Sequence, residues 1–171
     1  MALRITELSC VVFLVSLIGF AAAMATTDEK CCQYNVSVKT GDVNNAGTDS
    51  TISLKLKSSS GDSFTIANLE DWGAMEPGHN YFERGNLDFF KGASNCLNVC
   101  AITVTSNGAG IKPGWYLEYV NVTVSGDISK NIPFPVNRWL AEDEPPCTLS
   151  ATVNLCCSCS FYPLKSTLFS V

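Results

Sequence analysis

Apolar side chains recur at every second residue along most of this chain, and that period admits few folds. Tyr34, Val36 and Val38 alternate with Asn35, Ser37 and Lys39 before a Gly41-Asp42 turn. Ile52, Leu54 and Leu56 alternate with Ser53, Lys55 and Lys57, until Ser58 to Asp62 breaks the run. Phe64-Ile66 is a shorter piece, and Val99 to Thr105, Trp115 to Val124, Ile132 to Trp139 and Leu149 to Leu155 continue the series. A strand sends successive side chains to opposite faces, so each segment has one apolar face to bury. Short strands separated by turn signals such as Asn107-Gly108 describe an all-β sandwich or barrel. No long helical period competes, although Pro135 to Ala141 allows a short helical turn. Pro133 and Pro135 cannot donate to a ladder, so the segment that holds them is expected at a sheet edge.

The start of the chain follows different rules. Arg4 precedes an almost unbroken apolar run from Cys10 to Ala23, and Ala23-Met24-Ala25 fits a small-residue cleavage site. That run is shorter than the roughly 20 residues a spanning helix needs, so residues 1–25 read as a secretory signal peptide. The expected locale is the secretory pathway, either the endoplasmic reticulum or outside the cell. Formal net charge over the whole sequence is −5. An acidic chain is a poor ligand for nucleic acid, and attraction to an anionic membrane would need a local patch or a bridging cation.

An oxidising compartment gives the cysteines a role. Cys31, Cys32, Cys96, Cys100, Cys147, Cys156, Cys157 and Cys159 follow the signal segment, an even set that favours disulfides. Cys96 and Cys100, as ends of a short loop, are the best local pair, and Cys31/Cys32 with Cys156/Cys157 could staple the two ends together. Zinc is disfavoured, because the Cys156, Cys157, Cys159 cluster lacks paired C-x-x-C spacing. Two sequons, Asn35-Val36-Ser37 and Asn121-Val122-Thr123, lie in strand-like segments. Their valines take the apolar phase, which leaves Asn35 and Asn121 facing solvent as glycosylation requires.

Catalytic signals are sparse. His79 is the single histidine and sits in a Pro-Gly loop, there is no G-x-S-x-G, and the cysteines read better as paired than as nucleophiles. Trp115 and Trp139 read as core residues. Trp72 and Met75, in "NLEDWGAMEPG", are candidates for contact with a lipid interface. Asp42, Asp49 and Asp88, with Asn44, Asn45 and Asn86, are ordinary turn residues that also supply the oxygen ligands Ca²⁺ prefers.

Five blocks in order, "YNVSVKTGDVNNAGTDSTISLKL", "NLEDWG", "HNYFERGNLDFFKG", "CAITVTSNGAGIKPGWYLEYVNV" and "FPVNRWLAED", closely resemble the plant stress-associated proteins made of a single PLAT domain. The resemblance runs from about Cys31 to Ala151 and implies a PLAT-type β-sandwich of two four-stranded antiparallel sheets over 26–154, with a divergent cysteine-containing tail at 155–171. The same module flanks the catalytic domains of lipoxygenases and some lipases, so the resemblance implies a monomeric, non-enzymatic domain. Loops at one end of the sandwich would bind Ca²⁺ and touch a lipid or membrane surface, a small lipophile or a partner protein. On this chain those loops are Gly41 to Asp49 and Glu83 to Asp88, with a metal set of Gly47, Thr48, Asp49, Asn86 and Asp88. The chain departs from the family pattern in three places. "GDISKNIPF" lacks an expected cysteine, Cys32 is an additional neighbour of Cys31, and the tail diverges after Asn154.

Overall fold

The computed structural model describes residues 31–126 and 129–156. The expected signal peptide, Cys157, Cys159 and the remainder of the tail lie outside the described residues. In chain order the strands are β1 (Cys31–Thr40), β2 (Ile52–Ser58), β3 (Ser63–Ile66), β4 (Leu87–Asn95), β5 (Val99–Ser106), β6 (Trp115–Ser125), β7 (Lys130–Leu140) and β8 (Ser150–Asn154). They make two four-stranded sheets, ordered β4-β1-β6-β7 and β3-β2-β5-β8. Every strand pairing is antiparallel. One 3-10 turn, Leu69–Trp72, lies between β3 and β4, with the Asn68 side chain accepting the Glu70 N–H. The expected all-β sandwich is the observed fold.

The alternating apolar set fills the space between the sheets. Tyr34, Val36 and Val38 of β1 and Val120, Val122 and Val124 of β6 face Ile52, Leu54 and Leu56 of β2 and Ile102 and Val104 of β5. Toward one end Phe82, Phe90 and Trp115 form an aromatic group, with Phe82 stacked on Phe90 and meeting Trp115 edge-on. Burial of that indole is possible because its Nε1–H donates to Thr40 Oγ1 at 2.9 Å. At the opposite end the buried Tyr34 hydroxyl donates to the Asn95 carbonyl and accepts the Leu97 N–H. Burial pushes this phenol above its ordinary pKa.

Several expectations need correction. The stretch Pro135 to Ala141 is not helical: β7 runs through it as an edge strand, with Asn137 at φ 49° and a register irregularity opposite, between Leu117 and Tyr119. That irregularity lets a proline-bearing edge keep its pairing. β4 escaped the alternation reading because its polarity is inverted. Asp88 faces inward and is fully buried, whereas Leu87 and Phe89 face out. Trp139 is half-buried on the outer face, edge-on to Tyr116, because its strand neighbour Leu140 takes the inward position beside Trp115.

The cysteines pair across strands rather than along the chain. Cys32 bonds Cys96 and Cys100 bonds Cys156. Cys96 follows β4 in one sheet and Cys100 lies in β5 of the other, so the short segment between them crosses the sandwich instead of forming a bridged loop. Each bond instead joins an edge strand to its hydrogen-bonded neighbour, β4 to β1 and β8 to β5. The expected staple between the chain ends is therefore absent for Cys32 and Cys156. Cys147 is exposed and in neither bridge.

The two sequons meet each other. Asn35 of β1 pairs with Thr123 of β6, and Ser37 pairs with Asn121, so both acceptors share the outer face of one sheet. Asn35 is exposed and Asn121 half-buried.

Candidate functional site

Three loops converge at the end of the sandwich reached by the C-terminus of β1: 41–50, 79–86 and 107–114. They are laced together by backbone and hydroxyl hydrogen bonds. The Gly85 N–H donates to the Gly41 carbonyl and the Thr48 N–H to the Phe82 carbonyl, tying the first loop to the second. Thr48 Oγ1 donates to the Pro113 carbonyl and Ser50 Oγ to the Ala109 carbonyl, tying the first to the third. A turn rich in small residues makes this possible: a Cβ on Gly47 would lie 3.0 Å from both the Arg84 nitrogen and Glu83 Oε2.

Side chains finish the junction between the first two loops. Arg84 Nε donates to Asp42 Oδ1 at 2.7 Å and its Nη1 to Asn44 Oδ1 at 2.9 Å. Above this contact opens a cleft of about 470 Å³ lined by Asn44, Asn45, Gly47, Glu83, Arg84 and Lys112. Asn45, Phe82 and Lys112 all hold left-handed backbone, with φ of 60°, 60° and 54°. Non-glycine residues in that region carry strain, and two of these three, Asn45 and Lys112, line the cleft. Val43 and Ile111 project beside it, each the chain neighbour of a lining residue. Ile111 is 77% exposed.

The residues expected to hold Ca²⁺ do not converge on one point. Asp88 is buried, with Oδ1 at 2.6 Å from His79 Nε2 and Oδ2 accepting the Phe82 N–H at 2.8 Å. Its duty is to hold the 79–82 loop over the aromatic core. Thr48 is also buried, its hydroxyl engaged with Pro113 and accepting the Ser50 N–H. Asp49 is exposed but turned to the third loop, where its backbone carbonyl lies against Gly110. Asn86 Nδ2 donates to the Asn80 carbonyl. Ca²⁺ takes six to eight oxygens in one shell, and the oxygens of Thr48 and Asp88 are already engaged within the protein. Among the described residues no group of three or more His, Cys, Asp or Glu side chains is placed to hold a metal.

The two candidates for lipid contact are packed rather than projecting. Trp72 is half-buried over Gly92, where a Cβ would come within 2.3 Å of its ring, and it stands beside Tyr34 and Phe64. Met75 is half-buried, its N–H donating to the Tyr81 hydroxyl. His79 meets Asp88 and the edge of Tyr81, and among the described residues no hydroxyl or thiol is hydrogen-bonded to its ring. Sequence reasoning missed Val43, Arg84, Ile111 and Lys112. The available signal was "AGIKPG", an apolar-cationic pair between glycines and a proline, which the alternation reading treated as a break.

The PLAT/LH2 domain family matches residues 34–153. PLAT domain-containing protein 2 of Arabidopsis thaliana is 45% identical over 149 residues, covering 84% of this chain and 81% of that protein. PLAT domain-containing protein 1 of the same plant is 41% identical over 149 residues, covering 84% and 82%. Among solved structures, a coral 8R-lipoxygenase with calcium activation via a C2-like domain superposes with a TM-score of 0.54 at 25% identity, over 71% of this chain. A calcium-dependent 11R-lipoxygenase does so with a TM-score of 0.50 at 27% identity, over 72%. The chain spans only 16% and 17% of those two lipoxygenase chains.

Proposed function

The chain belongs to the PLAT/LH2 domain family, and from that premise we propose that it is a non-enzymatic module whose three-loop end docks on a lipid surface. The observation that carries this reading is the pairing of Val43 and Ile111 with the polar cleft beside them. Isolated exposed aliphatics are common on protein surfaces. A β-branched residue at a loop tip, next to a lysine, has the amphipathic order of a membrane interface. Apolar tips enter the acyl boundary while the cleft stays at headgroup depth.

Co-sedimentation with phosphatidylcholine vesicles containing phosphatidic acid tests this. Ile111→Asp with Val43→Asp is expected to weaken binding at least tenfold, since each loses about 2 kcal/mol of apolar burial. Unchanged binding by the double variant would remove the loop end from the docking surface. The lipoxygenase neighbours make Ca²⁺ assistance a natural addition, but the Thr48 hydroxyl and the Asp88 carboxylate are already engaged within the protein, and no step of the docking runs through an ion.

A second reading, docking on a partner protein, is favoured by the outer face of β4, where Leu87 and Phe89 are exposed side by side with one residue between. Pull-down of a stable partner that Phe89→Lys abolishes, with no vesicle binding, would prefer it.

The proposal extends to the secretory pathway and, through the resemblance to plant stress-associated proteins, to a stress response. Two disulfides support the first part, because such bonds persist in oxidising compartments. Unchanged abundance under salt, cold or drought would count against the second. Passage through that pathway also predicts glycosylation, and the paired sequons limit it. Asn35 and Asn121 are diagonal neighbours on adjacent strands, about 7–8 Å apart. One glycan is expected per molecule, on the exposed Asn35, read as a single mass step removed by a peptide N-glycosidase and by Asn35→Gln. Two steps would show that the face accommodates both.

A further inference from the structure

We propose that Arg84 is the resident cation of the loop end, and that with Lys112 it receives a phosphate-bearing anion directly, without a bridging metal. This rests on the lipid-docking reading for its biological setting but on separate residues for its chemistry. The guanidinium already occupies the oxygens a divalent ion would seek in the first loop, Asp42 Oδ1 and Asn44 Oδ1. A Ca²⁺ ion arriving there must displace a tethered cation and accept the repulsion of Lys112. What a metal would do for the loops is done by this fork, by the Gly85-to-Gly41 and Thr48-to-Phe82 hydrogen bonds, and by the lacing of the third loop.

The fork leaves recognition capacity free. A guanidinium carries five N–H donors, and the contacts to Asp42 and Asn44 use two. The remaining donors can meet two oxygens of one phosphate, the bidentate geometry that distinguishes arginine from lysine. Lys112 lines the same cleft, its ammonium in no hydrogen bond or ion pair among the described residues, on a backbone held left-handed at φ 54°. Asn44 and Asn45 supply amide groups on the facing wall. Negative groups are also near: Asp42 is paired with Arg84, Glu83 lines the cleft as a carboxylate that accepts from Asn80, and the Asp49 backbone carbonyl lies against Gly110. Lys39 is turned away, donating to the Gly85 carbonyl. Among the described residues the cations that line the cleft are Arg84 and Lys112, and the ligand class is a phosphate monoester or diester, borne by a lipid headgroup or by a soluble molecule.

The test uses the whole chain with phosphatidylcholine vesicles, with and without phosphatidic acid, in Ca²⁺ or in chelator, and with inositol hexakisphosphate by calorimetry. Binding to the anionic vesicles is expected to be equal in Ca²⁺ and chelator and to fall with salt. Arg84→Gln and Lys112→Gln are each expected to weaken it about fivefold. Lys112→Gln leaves the loop lacing intact, so it reads the anion contact even if Arg84→Gln loosens the fold. Binding that needs Ca²⁺, or that ignores both substitutions, overturns the inference while leaving the docking reading in place. If no vesicle binds, the docking reading fails, and the inference stands only if inositol hexakisphosphate binds in a manner lost with Lys112→Gln. No binding of either ligand overturns both.

Discussion

Asp88→Ala is expected to lower the unfolding free energy by about 3 kcal/mol, whereas Asp49→Ala should stay within about 0.5 kcal/mol of the parent. Urea unfolding followed by tryptophan fluorescence measures both. The difference follows from where the two carboxyl groups sit. Asp88 is fully buried and serves two partners, His79 Nε2 and the Phe82 N–H. Its loss strands a buried donor on a residue already held at φ 60°, in the middle of the Phe90 and Trp115 stack. Phe82 also accepts the Thr48 N–H, so the damage should spread to the cleft. Asp49 is exposed, and its side chain holds nothing comparable. Addition of Ca²⁺ should restore neither variant. If Asp88→Ala unfolds like the parent, the buried carboxyl has no structural duty and a ligand role returns to consideration.

The second large effect concerns the disulfides. Removing Cys100–Cys156 through paired alanines is expected to cost about 4 kcal/mol, and removing Cys32–Cys96 about the same. The bonds close segments of 56 and 64 residues, and the loss of chain entropy in the unfolded state grows slowly with that length. A domain of this size has about 5–15 kcal/mol of total stability, so either change removes a large part of it and both together should leave much of the chain unfolded at 37 °C. Thermal midpoints of the two double variants decide the matter. A shift of only a degree or two would mean that strand pairing alone already restrains those edges. Peptide mapping under non-reducing conditions should recover the same two pairs.

Much of the sandwich was legible because its strands obey one rule. Wherever the inner face was aliphatic and the outer face polar, as in β1, β2, β5 and β6, period two located the strand and its buried side. β4 broke the rule by turning Asp88 in and Leu87 and Phe89 out, since a polar link to His79 and Phe82 was needed under the loops. Its presence came from the family resemblance alone. Disulfide pairing depends on which strands become neighbours, and β1 lies beside β4 and β6 rather than beside β2. No local spacing encodes that. At the loop end the directions of the acidic and amide residues were not legible. Asp49 and Asp88 differ in orientation because one lies in a loop and the other inside a strand, and the arginine that satisfies Asp42 and Asn44 stands some 40 residues away in sequence.

The strand order also governs when this molecule can fold. β1 is made first, yet it is an interior strand whose neighbours are β4 on one side and β6 on the other. Its backbone can find no ladder partner until more than half of the chain has been synthesised. β5 pairs with the earlier β2 on one side and waits for β8, the last strand described, on the other. Contacts of such long range are slow to form, and the apolar segments stay unpaired meanwhile, open to chaperones and to mispairing with other chains. In the proposed secretory setting, the same delay leaves Asn35 on an extended, accessible segment well before Thr123 arrives beside it. Assembly of this domain is therefore a closing event, completed when β6, β7 and β8 arrive, and a chain truncated before β6 leaves both β1 and β5 paired on one side only.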